Sequence, residues 1–512
     1  MSDSMKIGRS GRTVALQAVT ALLVGLLIAP VAQAAGKVKM DPAARPTKYK
    51  SDAFGPDPSY GKPRYNARRQ LSIYGGKKAV DTPRPLIELG REIYRSGPLQ
   101  PSGTPFGKLN PLMQSFYVYG DWRTAVAYND NGDDERGRLA TRLNLDLDYR
   151  LTATERVHAT ITPLDDDGKF TRCDFEGDAG KFDFDNCELE LDFQPDALFF
   201  EGDAGAIYAG FAGKYSRVDL PFTFGLIPIL LQNGVWLEDA FLGAAVTVPA
   251  LNSSTLDISN MDITFLAGFD DITTDAIQGE GREDNTRFYA ATAFIEAMQG
   301  YWEVGYGYVD AQDQFSDQSY HNITAAFTRR YFGKVSNSIR VIGNVGQEFR
   351  DANGDHPADG VAVLIENSWV SSRPYTLVPY LNMFVGIDKP QSLARAGGAG
   401  GILKNTGINF ETDGLTGFPL LDDTANDTWG GALGVSYLFN YDQQIVIEAA
   451  TVQTFGHDNT AGRSAKGNEY ALGVRYQIPL DKAWLVRMDA MYGFREADAN
   501  IAGARFELRR KF

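Results

Sequence analysis

Residues 501–512 read IAGARFELRRKF, and their side chains divide by parity. Ala502, Ala504, Phe506, Leu508 and Phe512 fall on one side, with Arg510 the single charged exception. Arg505, Glu507, Arg509 and Lys511 fall on the other. Side chains alternate across a β-strand with period two, so this stretch is a strand with one oily and one charged face. A surface strand of a soluble sheet could carry the same pattern. What decides between the two is whether the pattern repeats along the chain.

It does. In 142–151, Leu143, Leu145, Leu147, Tyr149 and Leu151 interleave with Arg142, Asn144, Asp146, Asp148 and Arg150. Similar segments fall near 115–129, 138–151, 154–163, 187–194, 198–213, 239–249, 257–268, 286–296, 301–310, 320–332, 337–349, 361–371, 375–387, 429–438, 444–454, 467–478, 484–495 and 501–512. That makes 18 strands, or 16 without the fourth and fifth. Short turns and longer polar connections mostly alternate between them, as short periplasmic turns and long external loops should. Backbone groups have no partner in hydrocarbon, so membrane strands must close on themselves. The expected fold class is therefore all-β, a transmembrane antiparallel β-barrel over 113–512. Trp122, Tyr128, Tyr149, Trp302, Tyr306, Tyr308, Trp484, Tyr492 and Phe494 take the outward parity, where interfacial aromatics belong.

The terminal Phe512, with no tail after it, resembles the C-terminal strand of Gram-negative outer-membrane porin-like barrels, whose last Phe serves as an assembly signal. The resemblance implies an outer-membrane location and contact with lipid, lipopolysaccharide and the barrel-assembly machinery. It leaves both a monomer and a homo-oligomer open. Composition agrees with a barrel. Of the 512 residues, 43% are hydrophobic and mean hydropathy is −0.26; beyond the N-terminus no run of about 18 apolar residues marks a membrane helix. Residues 1–34 read as a signal peptide: Lys6, Arg9 and Arg12 lead an apolar stretch that ends at Ala32-Gln33-Ala34.

Residues 35–112 differ from the rest. Between 36 and 104 there are 14 Lys and Arg against six acids, a balance of +8, whereas the chain beyond carries 33 basic against 58 acidic residues, −25. Nine prolines crowd the same segment, which suits an extended arm more than a sheet. One helix is expected: Thr82 caps, Pro83 opens the first turn, Leu86, Leu89 and Ile93 share a face, and Gly97 ends it. Opposite charge would draw such an arm into the barrel as a plug, or to a periplasmic partner.

The inward parity collects the polar candidates. Pore-lining residues are expected to be Arg142, Asp146, Asp148, Arg150, Arg156, Asp262, Glu303, Arg340, Glu348, Arg475, Arg487, Asp489, Arg505, Glu507 and Arg509, with Arg123 and Glu448 on the same face. Their mixed signs set up a wet path without fixing anion or cation preference. The connection 214–238 is unusually apolar for an exposed loop. It is a candidate constriction loop, carrying Asp219, Pro221, Phe224, Pro228, Gln232 and Trp236, that would fold inward to narrow the pore or rest on the barrel rim. The acidic loop 164–186 is bracketed by Cys173 and Cys187, the only two cysteines, which should pair in an oxidising compartment. The glycine-rich connection 388–428 reads as a mobile external loop able to fold over the mouth.

Other chemistries find little support. The four histidines, His158, His321, His356 and His457, have no ligand spacing, and no metal, cofactor or nucleic-acid motif is present. The expected function is passage of small hydrophilic solutes, with no enzymatic activity. The alternative is a scaffold, in which the barrel holds a periplasmic cytochrome or export subunit through 36–112.

Overall fold

The computed structural model describes residues 84–91, 103–132, 135–166, 168–176, 187–370, 377–411, 414–439, 443–456 and 464–512. Eighteen of its strands form the wall: β1 Ser115–Asp130, β2 Glu135–Arg150, β3 Arg156–Ile161, β4 Pro195–Asp203, β5 Pro221–Leu231, β6 Leu237–Ser253, β7 Ile258–Asp270, β8 Thr286–Ala297, β9 Gly300–Ala311, β10 Tyr320–Tyr331, β11 Val335–Val345, β12 Asp359–Trp369, β13 Leu377–Lys389, β14 Thr428–Phe439, β15 Gln443–Thr454, β16 Glu469–Pro479, β17 Trp484–Arg495 and β18 Ile501–Lys511. Each pairs antiparallel with the next, and β18 returns to β1 with Asp121 opposite Lys511 and Asp130 opposite Ala502. The sheet is thus a closed 18-stranded antiparallel barrel without a free edge. We call the end holding Ser115 and Lys511 the turn end and the other the loop end.

The two faces of the wall differ as the parity requires. Phe265 is 50% exposed while its neighbour Leu266 is 5% exposed, and Tyr289, Ile323, Leu433 and Leu472 repeat the outward exposure on other strands. Of the aromatics expected outside, Trp122, Tyr128, Tyr306, Tyr492 and Phe494 are exposed, and Tyr149, Trp302, Tyr308 and Trp484 are partly covered. A continuous apolar outer band of this kind is stable against lipid, not against water. No helix among the described residues is long and apolar enough to cross a membrane.

Several expectations need correction. The strand count stands, but two of its members change. Residues 187–194 do not form a wall strand of their own: only Cys187–Glu188 pairs, with the strand Lys169–Glu176 that extends the wall beside β2 past the end of β3. The segment 198–213 is a strand only to Asp203. There the side chain of Asp203 accepts from the amide of Ala206 and caps helix α1, Ala204–Ala212, which ends at the left-handed Gly213. The supposed loop 214–238 contains the wall strand β5. Its run PFTFGLIPILL shows no polar face because its inward side meets an apolar core, so alternation could not reveal it.

The helix expected near 82–97 is replaced, in its described part, by the strand Ile87–Gly90, which pairs with Ser115–Val118 of β1. β18 stops short there, leaving β1 with unpaired donors and acceptors, and ladder bonds outweigh the weak helical pattern. Thr82, Pro83, Ile93 and Gly97 lie outside the described residues, as does the arm over 36–83. Glu348 also leaves the wall list. Gly346, at φ +93°, breaks the chain away after β11.

Candidate functional site: the barrel interior

The largest correction concerns 390–427, between β13 and β14. It is not draped outside the mouth but enters the barrel and crosses it. Asn322 of β10 and Asn344 of β11 donate to the carbonyl of Gln391 at 2.8 and 3.0 Å. The two-residue strand Ala394–Arg395 then lies parallel to Leu237–Glu238 at the start of β6. Glu238 receives both Arg395, at 3.2 Å, and Lys404. Having reached β6, the loop turns back towards β15.

There Glu448 holds it. The carboxylate accepts from Tyr380 Oη at 2.5 Å, from the amides of Ile408 and Asn409 at 2.9 Å each, and from Asn409 Nδ2 at 2.8 Å. A Cβ at position 407 would lie 2.2 Å from Glu448 Oε2, so Gly407 is what lets the backbone reach the carboxylate. Further on, Asn129 of β1 donates to the carbonyl of Thr416 at 2.7 Å, and the guanidinium of Arg505 stacks 5.3 Å from the Phe418 ring.

The connection between β5 and β6 also turns inward. The Trp236 side chain is fully buried, and its Nε1 donates to Asn322 Oδ1 at 2.8 Å. Its ring fills the place a side chain would take at Gly305 of β9, where a Cβ would come within 2.6 Å. Thr324 donates to Gln232 Oε1 at 2.7 Å. Of the residues proposed for a constriction loop, then, Gln232 and Trp236 do point into the barrel. Pro221, Phe224 and Pro228 belong to the wall strand β5, and Asp219 precedes it at the turn end.

These inward elements divide the interior into two sectors. On the side of β6 to β15, Phe241, Leu266, Phe288, Val309, Ile342, Leu364 and Phe384 are each at most 5% exposed. They pack with Trp236, Ile272, Leu393, Leu403 and Phe410 into one core. On the side of β16 to β18 and β1 to β4 the wall is charged. Asp489 accepts from Arg475, Arg487 and Arg505 at 2.6, 2.8 and 2.7 Å. Glu411 of the inward loop bridges Arg475 and Arg487 at 2.5 and 3.0 Å. Burial works to raise the Glu411 pKa, but the two guanidinium charges and their hydrogen bonds overcome it and hold this carboxyl below its ordinary range. Glu507 receives Arg123 at 2.7 Å and Arg509 at 3.0 Å.

A second charged group sits on β2 to β4. Asp148 lies 3.6 Å from Arg156 and 4.0 Å from Arg150, Arg156 also pairs with Glu201, His158 is 3.8 Å from Asp146, and Arg142 is 3.6 Å from Asp165. Below it, at the turn end, a cavity of about 790 Å³ is lined by Arg150, Arg156, Glu201, Tyr215 and Phe222 together with α1. Residues 103–112 close one side: Asn110 donates to Glu155 at 2.6 Å, and Phe106 meets Phe211 of α1 edge-on at 6.2 Å.

Of the expected pore-lining residues, Arg475, Arg487, Asp489, Arg505, Glu507 and Arg509 come together, and Arg142, Asp146, Asp148, Arg150 and Arg156 form the neighbouring group. Arg340 pairs instead with Glu366 at 2.8 Å inside the apolar sector. Asp262 and Glu303 keep the inward parity but lie apart, Asp262 accepting from the amide of Ala250 at 2.7 Å near the turn end. Cys173 and Cys187 form a disulfide that ties the strand Lys169–Glu176 to the descending chain. Phe512 exchanges backbone hydrogen bonds with Gly120, at 2.9 and 3.1 Å, sealing β18 to β1. Glu411 and Tyr380 were not singled out from the sequence. Glu411 sits on a loop without periodicity, and Tyr380 reads as an ordinary strand aromatic.

No protein-family model matches the chain, and no curated protein matches it. Among solved structures the chain is similar to Pseudomonas aeruginosa OccK5 (OpdH), at 11% identity and TM-score 0.48, covering 78% of this chain and 98% of that one. It is also similar to Pseudomonas aeruginosa OpdO, at 13% identity and TM-score 0.47, covering 78% and 97%. The outer membrane protein opdK from Pseudomonas aeruginosa gives 12% identity and TM-score 0.48, covering 77% and 98%. Identities this low speak of shape alone. The chain's own geometry, a closed 18-stranded wall with an apolar outer band and a charged interior sector, is that of a porin-like transmembrane β-barrel.

Proposed function

We propose that the protein is an outer-membrane channel for small hydrophilic solutes. Solutes would pass through the charged sector, between the inward loop 390–427 and the wall formed by β16 to β18 and β1 to β4. The observation that carries this reading is the unequal filling of the interior. The sector lined by Phe241, Phe288, Ile342 and Phe384 is packed shut, whereas on the opposite wall Arg142, Asp146, Arg150 and Arg156 of the neighbouring strands β2 and β3 keep part of their surface accessible. The part-exposed ionic side chains there are of both signs and would give polar solutes alternating partners along the wall. Export by the signal peptide, cleavage after Ala34 and insertion through the Phe512 signal belong to the same proposal.

Planar-bilayer conductance tests it, comparing the mature full chain with a variant whose residues 396–424 are replaced by a short Gly-Ser linker. Discrete conductance steps are expected from both, several-fold larger for the linker variant. A correctly folded linker variant that gives no steps would overturn the channel reading.

A further inference from the structure

Among the described residues, two arginines stand on the outward face of the wall at its turn end, and they differ in what they touch. Arg329 of β10 lies 5.2 Å from the Tyr331 ring and donates to Gln299 Oε1 at 2.6 Å. Arg510 of β18 lies 5.4 Å from the Trp484 ring, and no described residue takes a hydrogen bond or an ion pair from its guanidinium. Asp481, in the turn between β16 and β17, attracts Arg510 from a distance, but its carboxylate accepts from the amides of Ala483 and Trp484 at 2.7 and 2.8 Å. The register places Arg510 directly between Trp484 of β17 and Trp122 of β1, at the seam that closes the barrel. Trp122 is 45% exposed on that face, and its Nε1 donates to Thr141 Oγ1 at 2.8 Å, which fixes the ring beside the arginine. Two outward rungs towards the loop end, past Leu508, the residues Val126, Phe506 and Met488 lie in register and are 44, 41 and 43% exposed. The face thus runs from one cation flanked by indoles into bare apolar wall.

We propose that Trp122, Arg510 and Trp484 seat the phosphate of a glycerophospholipid from the leaflet at the turn end, with an acyl chain along Leu508, Phe506, Val126 and Met488. This goes beyond the channel reading and needs only that the wall lies in lipid. The depth fits. Trp302, Trp369 and Tyr437 take the outward parity at the same end, and aromatic girdles mark where hydrocarbon gives way to headgroups. A guanidinium over an indole is held by its charge and its face, and its fork of N–H donors remains to grip two phosphate oxygens. Donors without an acceptor are costly where water is scarce, so a phosphate satisfies what the wall leaves open. A bare inorganic anion would gain that contact alone, whereas a phospholipid also covers the apolar rungs. Arg329 offers less, because Gln299 already accepts from its guanidinium.

The test counts lipid bound to the mature full chain in detergent, by native mass spectrometry, as phosphatidylglycerol is titrated. Arg510→Gln should bind its tightest lipid about tenfold more weakly than the wild type, and Arg510→Lys, which keeps the charge without the fork, should fall between. Trp484→Leu should weaken binding as well. Arg329→Gln, which removes an arginine from the same face, should match the wild type. Inorganic phosphate in excess should not displace the lipid. Heat-modifiable mobility on gels confirms that each variant is folded. Equal retention by the wild type and Arg510→Gln, equal losses from Arg329→Gln and Arg510→Gln, or displacement by inorganic phosphate would each overturn the proposal. The readout is bound lipid and not current, so a wall without this seat leaves the channel reading standing, and a silent bilayer leaves the seat standing.

Discussion

The two sectors of the barrel interior come from one folding rule and end in opposite states. Both walls alternate with period two, and both turn every second residue inward. On β6 to β15 most of those residues are Phe, Leu, Ile, Val and Ala, among them single polar anchors such as Asn322, Asn344 and Glu448, and the chain supplies Trp236, Leu393, Leu403 and Phe410 to cover them. On β16 to β18 and β1 to β4 Arg, Asp and Glu alternate with small and apolar residues such as Ala125, Ala140, Ala471 and Met491, and Glu411, Leu415, Phe418 and Phe170 cover part of that wall. The lesson is that the inward loop does not fill a barrel at random. Its large apolar side chains settle mainly on the apolar half, where burial of each contributes roughly 1.5–3 kcal/mol, and where it meets the charged half it brings partners such as Glu411 for the charges it covers.

Breaking the division should have graded effects. The largest is expected from Glu448→Ala, which leaves four donors without their acceptor in the middle of the loop's anchor. The seated loop should lose roughly 3–5 kcal/mol, and single-channel conductance should rise several-fold toward that of the linker variant. Unchanged conductance would mean that the loop is held elsewhere. Trp236→Ala should cost about 3–5 kcal/mol of the apolar core, read as a lower unfolding temperature in detergent, with a smaller effect on conductance than Glu448→Ala. The opposite ranking would merge the two sectors into one.

A smaller and more specific effect is expected from the double change Arg475→Ala and Arg487→Ala. Removing two positive charges while keeping Glu411 and Asp489 should move the reversal potential in a salt gradient toward cation preference, without lowering the unfolding temperature by more than the core change does. The smallest effect belongs to Arg156→Ala. Arg156 and its partner Glu201 stay part-solvated, and Asp148 keeps Arg150 within 4.0 Å, so stability should change by about 1 kcal/mol or less. An unfolding shift as large as that of Trp236→Ala would show the charged sector to be structural in its own right.

How much of this was legible in the sequence differs between the same two sectors. The charged strands announced themselves: in β2 and β18 most inward residues are polar, so existence and inward face could be read, although β2 begins at Glu135 and not at 138. β5 could not, because PFTFGLIPILL is apolar on both faces, one toward lipid and one toward the core, and a two-sided apolar strand has no period to detect. The same shortage of contrast joined a strand to α1 in 198–213, where only the Asp203 cap marks the change. The inward course of 390–427 had no local signal at all. Its glycines and scattered apolar residues fit a mobile loop as well as a packed one, and what seats it are residues far along the chain, Glu238 and Glu448, each of which looks like one more charge on an inward parity. Pairing partners decide such features, and a single strand's pattern carries no record of its partners.

The measurement that bears most directly on the central claim is current block by a water-soluble thiol reagent at single introduced cysteines. Asp146→Cys places the thiol in the charged sector, and Ala362→Cys places it in the apolar one; the native pair Cys173 and Cys187 is bonded and does not react. Rapid block at 146 and none at 362, recorded at pH 6, is the predicted result. Equal block at both positions, or block at 362 alone, would contradict passage through the charged sector.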